Sequence, residues 1–150
     1  MSDNWIIVIP EDPGYVPTEA AMEQAIELFE RLAPEADEVN AEASENPRFI
    51  DCGANLERIS CPDCGADIEV DWWQNKIEEE SDEGFPLRSI VLPCCGSERN
   101  LNELKYDWPQ GFARFSLEAM NPGICDLTDE DLKVFEAVLG SRLRKILQHL

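Results

Sequence analysis

Two short cysteine-containing turns constrain this chain more than any other feature of its sequence. The first reads Cys61-Pro62-Asp63-Cys64-Gly65 and the second reads Leu92-Pro93-Cys94-Cys95-Gly96. In each turn the proline fixes φ at the start, and the glycine accepts the positive φ that such turns usually need. Because a tetrahedral thiolate site needs four sulfur atoms, we predict that the two turns meet around one metal ion.

The predicted ligands are the four cysteines of these turns, with Cys52 as the main alternative and Cys125 as a weaker one. Cys61, Cys64, Cys94 and Cys95 are the most economical set. Adjacent side chains point apart in an extended backbone, so Cys94 and Cys95 reach one ion only if the chain turns sharply there. Cys52 therefore competes for the fourth position. We predict one structural zinc ion; a redox pair and buried free thiols are the alternatives.

The composition indicates a globular and strongly acidic protein. Of the 150 residues, 43% are hydrophobic and four are tryptophan, whereas the formal net charge is −20. A chain of this length fits a single domain over residues 1–150 with a substantial core. The charge repels nucleic acids and anionic membranes and favours a basic protein partner, although solubility alone explains it equally well.

The cellular location is predicted from what the sequence lacks. No apolar run approaches the length of a membrane span, and the N-terminus does not resemble a signal peptide. Six cysteines without an export signal indicate metal ligation in a reducing compartment rather than disulfides. We therefore expect a cytoplasmic protein.

Hydrophobic periodicity predicts an α+β fold with three helices and a mixed or antiparallel sheet of about five strands. The helices are expected at residues 18–34, 70–81 and 128–150. Strands are expected at residues 5–9, 48–51, 56–59, 90–92 and 112–119, and the acidic stretch 35–47 is an edge strand or a loop. The order of these elements suits a ferredoxin-like core with a strand and a helix added at its C-terminal end.

The last helix is the best specified of the three in the sequence. Thr128 is a good N-cap, and apolar residues recur at three- and four-residue spacing as far as Leu150. The basic residues Arg142, Arg144 and Lys145 would lie near its C-terminus, where they suit the helix dipole.

Two further segments are candidate partner-binding surfaces. The densest acidic run of the chain consists of Glu78, Glu79, Glu80, Asp82 and Glu83. Such runs are usually a solvated face, but this one lies on the connection between the metal turns, so it is also a candidate contact for a basic partner. Tyr106 and Trp108 lie in an aromatic-rich turn, which we interpret as a lid over the core in preference to a recognition point.

The sequence offers little catalytic chemistry. His149 is the only histidine and is the penultimate residue, so a serine or cysteine nucleophile has no credible histidine base. No phosphate-cradling glycine pattern is present. A zinc ion held by four thiolates is coordinatively closed and leaves no position for a substrate.

We therefore expect a non-enzymatic protein that acts through protein–protein interaction, as a monomer or a weak homodimer. An immunity or inhibitor protein for a basic partner is one concrete form of this hypothesis. A small thiol- or zinc-dependent enzyme is an alternative, which a reactive Cys52 would support. A zinc-ribbon protein that binds nucleic acid is another, which the negative charge disfavours.

A succession of motifs covers roughly residues 45–120. It begins with Phe49-Ile50-Asp51-Cys52-Gly53, continues through the two cysteine turns and ends with Tyr106-Asp107-Trp108-Pro109-Gln110-Gly111-Phe112-Ala113-Arg114-Phe115. This succession resembles an uncharacterised bacterial family of small, soluble proteins with zinc-ribbon-like cysteine turns. The resemblance implies a metal site at the four cysteines of the turns and a bacterial origin. It supplies no activity and no catalytic residue.

Overall fold

The computed structural model describes residues 2–150, which form an α+β structure with three α-helices. In chain order the elements are β1 (Asn4–Pro10), α1 (Glu19–Leu32), β2 (Glu38–Ile50), β3 (Arg58–Ser60), α2 (Val70–Ser81), β4 (Ile90–Val91), β5 (Glu98–Arg99), a 3₁₀ turn (Leu101–Glu103), β6 (Lys105–Asp107), β7 (Gly111–Met120), α3 (Asp129–Leu139) and β8 (Leu143–His149). The predicted class and the number of helices are confirmed.

The largest sheet has four strands in the order β2-β7-β1-β8, and each neighbouring pair is antiparallel. It therefore has fewer strands than the expected five, because β3 pairs only with β6 and β4 only with β5, in two small separate sheets. The acidic stretch before Pro47 is part of β2, the edge strand, which has an irregularity in its register between Ala43 and Arg48. A bulge or irregularity of this kind is common at sheet edges.

The two faces of this sheet are covered by different parts of the chain. Successive side chains of β1 point to opposite faces. Ile6 and Val8 therefore pack into a core under α1 and α3, in which the rings of Phe29 and Phe135 lie 5.2 Å apart. Ile7 belongs to a second core, which includes Cys52. β1, which the sequence predicted as a strand, is thus buried on both faces.

Residues 51–110, which we call the cysteine module, connect β2 to β7 and contain both cysteine turns. The module has a core of its own, built mainly on Trp73, Leu92 and Tyr106. Phe112 of β7 also belongs to this core and stacks on Phe49 of β2 at 5.1 Å between centroids, so the module is packed against the sheet. The sheet thereby fixes the position of the turns.

The prediction of one helix from Thr128 to Leu150 is wrong. Thr128 does cap α3, since its Oγ1 accepts a hydrogen bond from the Asp131 N–H at 3.0 Å. The helix ends at Leu139, because Gly140 adopts a left-handed φ of 78° that stops it. The following residues form β8, in which Leu143 pairs with Pro10 of β1. Apolar residues at that spacing fit a strand once β1 is available as a partner.

β7 lies between β1 and β2. One of its faces is buried, and on the other face Arg114 and Glu118 are partly exposed whereas Ser116 is 0% exposed. Position inside the sheet, which the alternation of residues does not reveal, decides this burial. Within residues 2–150, no helix combines the length and the apolar character needed to span a bilayer.

Candidate metal centre

The two cysteine turns have the same backbone geometry. In the first, Gly65 donates its N–H to the Cys61 carbonyl at 3.0 Å, and Gly96 donates to the Leu92 carbonyl at the same distance in the second. Both glycines have a φ of 75°, a conformation that side chains rarely adopt. Leu92 thus occupies in the second turn the place that Cys61 occupies in the first.

This correspondence explains the adjacent cysteines of the second turn. Leu92 is 1% exposed and packs its side chain in the core of the module. It thus fills the position that the thiol of Cys61 has in the first turn. The second turn therefore has no sulfur at its first position. Its second candidate sulfur comes from Cys94, which corresponds in position to Asp63 of the first turn. The sharp bend that adjacent ligands require is supplied by the turn itself.

The four predicted sulfur atoms lie together. Those of Cys61, Cys64, Cys94 and Cys95 are all within 4.8 Å of one another, with 3.7 Å between Cys61 and Cys95 and 4.0 Å between Cys94 and Cys95. A tetrahedron with metal–sulfur bonds of about 2.3 Å has sulfur–sulfur edges of about 3.8 Å. The cluster therefore fits a four-coordinate ion, and four thiols are a donor set suited to zinc or iron.

The cluster lies at the surface of the molecule with one buried member. Cys61 is 1% exposed, whereas the other three cysteines are exposed. The backbone N–H groups of Cys64, at 3.5 Å, and Asp63, at 3.4 Å, point at the Cys61 sulfur. Together with hydrogen bonds from the side chains of Cys94 and Cys64, they lower the pKa of the Cys61 thiol to about 6, which favours the thiolate that a metal would bind.

A second linkage joins the two turns beside the sulfur atoms. Arg99 of β5 donates from Nε to one oxygen of Asp63 at 3.0 Å and from Nη2 to the other at 2.7 Å. Its Nη1 also contacts Glu103 at 3.3 Å. The hydrogen bond from Arg99 holds the pKa of Asp63 below its usual range. This bidentate pair connects the first turn to the strand that follows the second.

Sequence reasoning did not identify this linkage. The alignment of the two turns places Asp63 opposite Cys94, a candidate metal ligand, which was a signal that this position faces the site. Nothing in the sequence singles out Arg99, because its partner lies 36 positions away.

Cys52, the alternative fourth ligand, lies elsewhere. It is fully buried in the second core, and its sulfur contacts the Gln110 side-chain oxygen at 3.4 Å and the Trp108 carbonyl oxygen at 3.6 Å. Burial raises the pKa of its thiol to about 11. Cys52 is not one of the four sulfurs that lie together, and a thiol of this kind is a poor nucleophile.

The five acidic residues at the end of α2 differ in their exposure. Glu78, Glu79, Asp82 and Glu83 are exposed, as a contact surface requires. Glu80 is only 6% exposed, and its Oε1 accepts a hydrogen bond from the Leu87 N–H at 2.6 Å. Glu80 is therefore much less exposed than the other four acids, because the chain folds back over the end of the helix.

The two candidate residues of the aromatic turn also differ in their exposure. Tyr106 is 6% exposed; its hydroxyl donates to the Leu101 carbonyl at 2.6 Å and accepts from the Trp73 indole N–H at 3.0 Å. Tyr106 is thus part of the core, in accord with the lid interpretation, and not of a contact surface. Trp108 is 38% exposed and borders a surface pocket of about 570 Å³.

No protein-family model, curated protein or solved structure matches this chain.

Proposed function

We propose that this chain is a non-catalytic zinc protein that acts by binding a basic protein partner. The cluster of four sulfur atoms within 4.8 Å carries the proposal, because it brings together two distant turns that no disulfide joins. Zinc bound by four thiolates would be coordinatively saturated and would stabilise the cysteine module without entering a reaction. The four cysteines would be kept reduced, as in the cytoplasm of a bacterium.

Metal analysis of protein purified without chelators tests the zinc assignment. We expect one zinc per chain, and a cobalt-substituted form with intense tetrahedral bands and thiolate charge transfer. Cys61→Ser should lose the metal, whereas Cys125→Ser, which alters an exposed cysteine outside the cluster, should retain it. Less than half a zinc per chain, or a cobalt spectrum of an open site, would contradict the proposal.

We further propose that the fold is a single domain with a ferredoxin-like core and a zinc-ribbon-like insertion. The order β1-α1-β2 followed by β7-α3-β8, with the strand order β2-β7-β1-β8, supports this interpretation. The cysteine module would then be an insertion between the second and third strands of that core. The added strand and helix expected at the C-terminal end are instead the second half of the core.

The charge distribution supports a basic protein as the partner. The net charge is −20, and the exposed acidic residues near the end of α2 lie in the cysteine module. The basic residues of β8 are engaged within the molecule, since Arg144 pairs with Glu11 and Lys145 with Asp126, each at 2.8 Å. This arrangement disfavours a nucleic acid, and an inhibitor or immunity protein is the form of partner binding that we favour.

Capture of partners from an extract of the native host tests this part of the proposal. The zinc-loaded protein should retain a basic protein at low salt and release it as the salt concentration rises, because surface charges are screened. Retention of nothing basic, or retention that high salt leaves unchanged, would contradict it.

A further inference from the structure

A surface pocket of about 500 Å³ lies at the end of α2, within the cysteine module. Four acidic and two basic side chains line it: Glu79, Glu80, Asp82, Glu83, Lys76 and Arg88. Its volume is within the range of sites that accept a small group. The pocket is separate from the cluster of sulfur atoms, none of whose cysteines line it.

Two of the four acidic side chains already have basic partners. Lys76 lies 3.5 Å from Glu79, and Arg88 pairs with Glu83. Across residues 2–150, neither Asp82 nor Glu80 has a lysine or arginine nitrogen within the 4.0 Å of an ion pair. The pocket therefore contains two carboxyl groups without an ion pair, and Arg88 acts on one of them, Glu80, only at longer range.

Glu80 is the unusual member of this pair. It is 6% exposed, its Oε1 accepts from the Leu87 N–H, and its Oε2 is buried without any hydrogen-bond partner. A buried carboxyl oxygen without a partner is energetically costly, so a cationic donor that reached it would be bound favourably.

The loop over Glu80 holds this carboxyl group in place. Phe85 and Leu87 have positive φ values of 52° and 56°, on either side of Pro86. Phe85 also packs against Phe112, with 5.2 Å between ring centroids, which attaches the loop to the sheet. The acceptor is thus positioned before any ligand arrives, which reduces the entropic cost of binding.

We propose that this pocket receives an arginine side chain of the basic partner, with Glu80 and Asp82 as its acceptors. This inference rests on the proposed function and names the chemistry of its contact. A guanidinium group is planar and has five donors, so it can serve two carboxyl groups at once, and it is less strongly hydrated than a lysine ammonium group. Lys76 and Arg88 are paired with Glu79 and Glu83, so Glu80 and Asp82 remain as acceptors for the incoming cation.

The test is a titration of the zinc-loaded protein, labelled with ¹⁵N, with the peptide acetyl-Gly-Gly-Arg-Gly-Gly-amide. The Leu87 amide signal should shift saturably, because this N–H is bonded to the Glu80 carboxyl group. The same peptide with lysine in place of arginine should bind more weakly. Glu80→Gln, which keeps an oxygen for the Leu87 N–H, should weaken binding by about tenfold or more.

Glu78→Gln is the matched control, because Glu78 is exposed on the same helix but does not line the pocket. It should bind the peptide as the wild type does. Asp82→Asn, at an exposed position, provides a second variant if Glu80→Gln does not fold, and it should also weaken binding.

A Leu87 signal that does not shift, equal binding of the lysine peptide, or unchanged binding by both pocket variants would overturn the proposal. Salt-sensitive capture of a basic partner that persists in these variants would reject this pocket while leaving the proposed function intact.

Discussion

The Sγ atoms of Cys61 and Cys95 lie 3.7 Å apart, although 34 positions separate the two residues. This separation is far longer than the roughly 2.05 Å of a disulfide bond and close to the edge of a tetrahedral metal–thiolate site. Bringing two distant turns this close costs chain entropy. A metal ion bound to all four thiolates would offset that cost, and the following predictions test how the chain depends on it.

Removal of the metal should unfold the cysteine module before the four-stranded sheet. The module and the layer under α1 and α3 have different cores, so loss of the proposed zinc ion would act directly on only one of them. After chelation, hydrogen exchange should accelerate in β3 and β4 and remain slow in β1 and β8. Equal acceleration throughout, or no change at all, would show that the metal does not stabilise the module selectively.

Arg99→Met should accelerate zinc transfer to a chelator. The variant keeps an unbranched apolar stem but loses the guanidinium group and with it the bidentate pair with Asp63 that connects the two turns. Groups that orient ligands are typically worth at least about tenfold in metal affinity, so we expect about a tenfold faster transfer. Arg88→Met is the control, because Arg88 pairs with Glu83 away from the turns. Equal transfer rates in both variants would show that the linkage does not retain the metal.

Leu92→Ala should reduce the free energy of unfolding of the zinc-loaded protein by about 3 kcal/mol, the usual cost of truncating a buried leucine. Leu92 is 1% exposed, whereas its neighbour Val91 is 61% exposed. Val91→Ala should therefore change this free energy by less than about 0.5 kcal/mol. Urea denaturation measures both. Similar costs for the two variants would contradict the assignment of Leu92 as the core anchor of the second turn.

Glu118→Gln should stabilise the protein at pH 7 but not in acid. Burial, and then the neighbouring Glu42, raise the pKa of Glu118 in the folded state. Between its unfolded and folded pKa values the unfolded chain binds fewer protons, so stability falls as the pH rises through that interval. Glutamine does not ionise, so Glu118→Gln should not lose stability over this pH interval.

For a group that is partly exposed we expect a gain in the free energy of unfolding at pH 7 of no more than about 1 kcal/mol. The gain should disappear below the unfolded pKa of about 4.3. Glu23→Gln, at an exposed position of α1, should show no such dependence on pH in urea denaturation. An equal gain at both pH values would contradict the explanation.

Cys52 should resist alkylation in the folded, zinc-loaded protein. It is fully buried with a pKa raised to about 11, whereas Cys125 is exposed. We expect modification of Cys52 to be more than about 100-fold slower than that of Cys125. Mass spectrometry of time points gives both rates, and Cys125→Ser should remove the rapid phase. Rapid labelling of Cys52 would instead favour the thiol-enzyme alternative.

The sequence by itself determined the local features that depend on a few neighbouring residues. Each cysteine turn is specified by a proline, a glycine and its sulfur atoms within five positions, and the N-cap Thr128 begins its helix as predicted. These features could be recognised because the interactions that stabilise them are local. The grouping of the four cysteines followed from the number of ligands that a tetrahedral ion requires.

Tertiary structure alone decided where the chain is buried and which strands pair. The apolar residues after Gly140 suited a helix as well as a strand, and only the presence of β1 beside them selects β8. Glu80 and Tyr106 lie in segments that the sequence analysis treated as candidate contact surfaces. Only the packing of the rest of the chain against them buries their side chains. Contacts between residues far apart in the chain determine these outcomes, because burial and strand pairing depend on partners that no local pattern identifies.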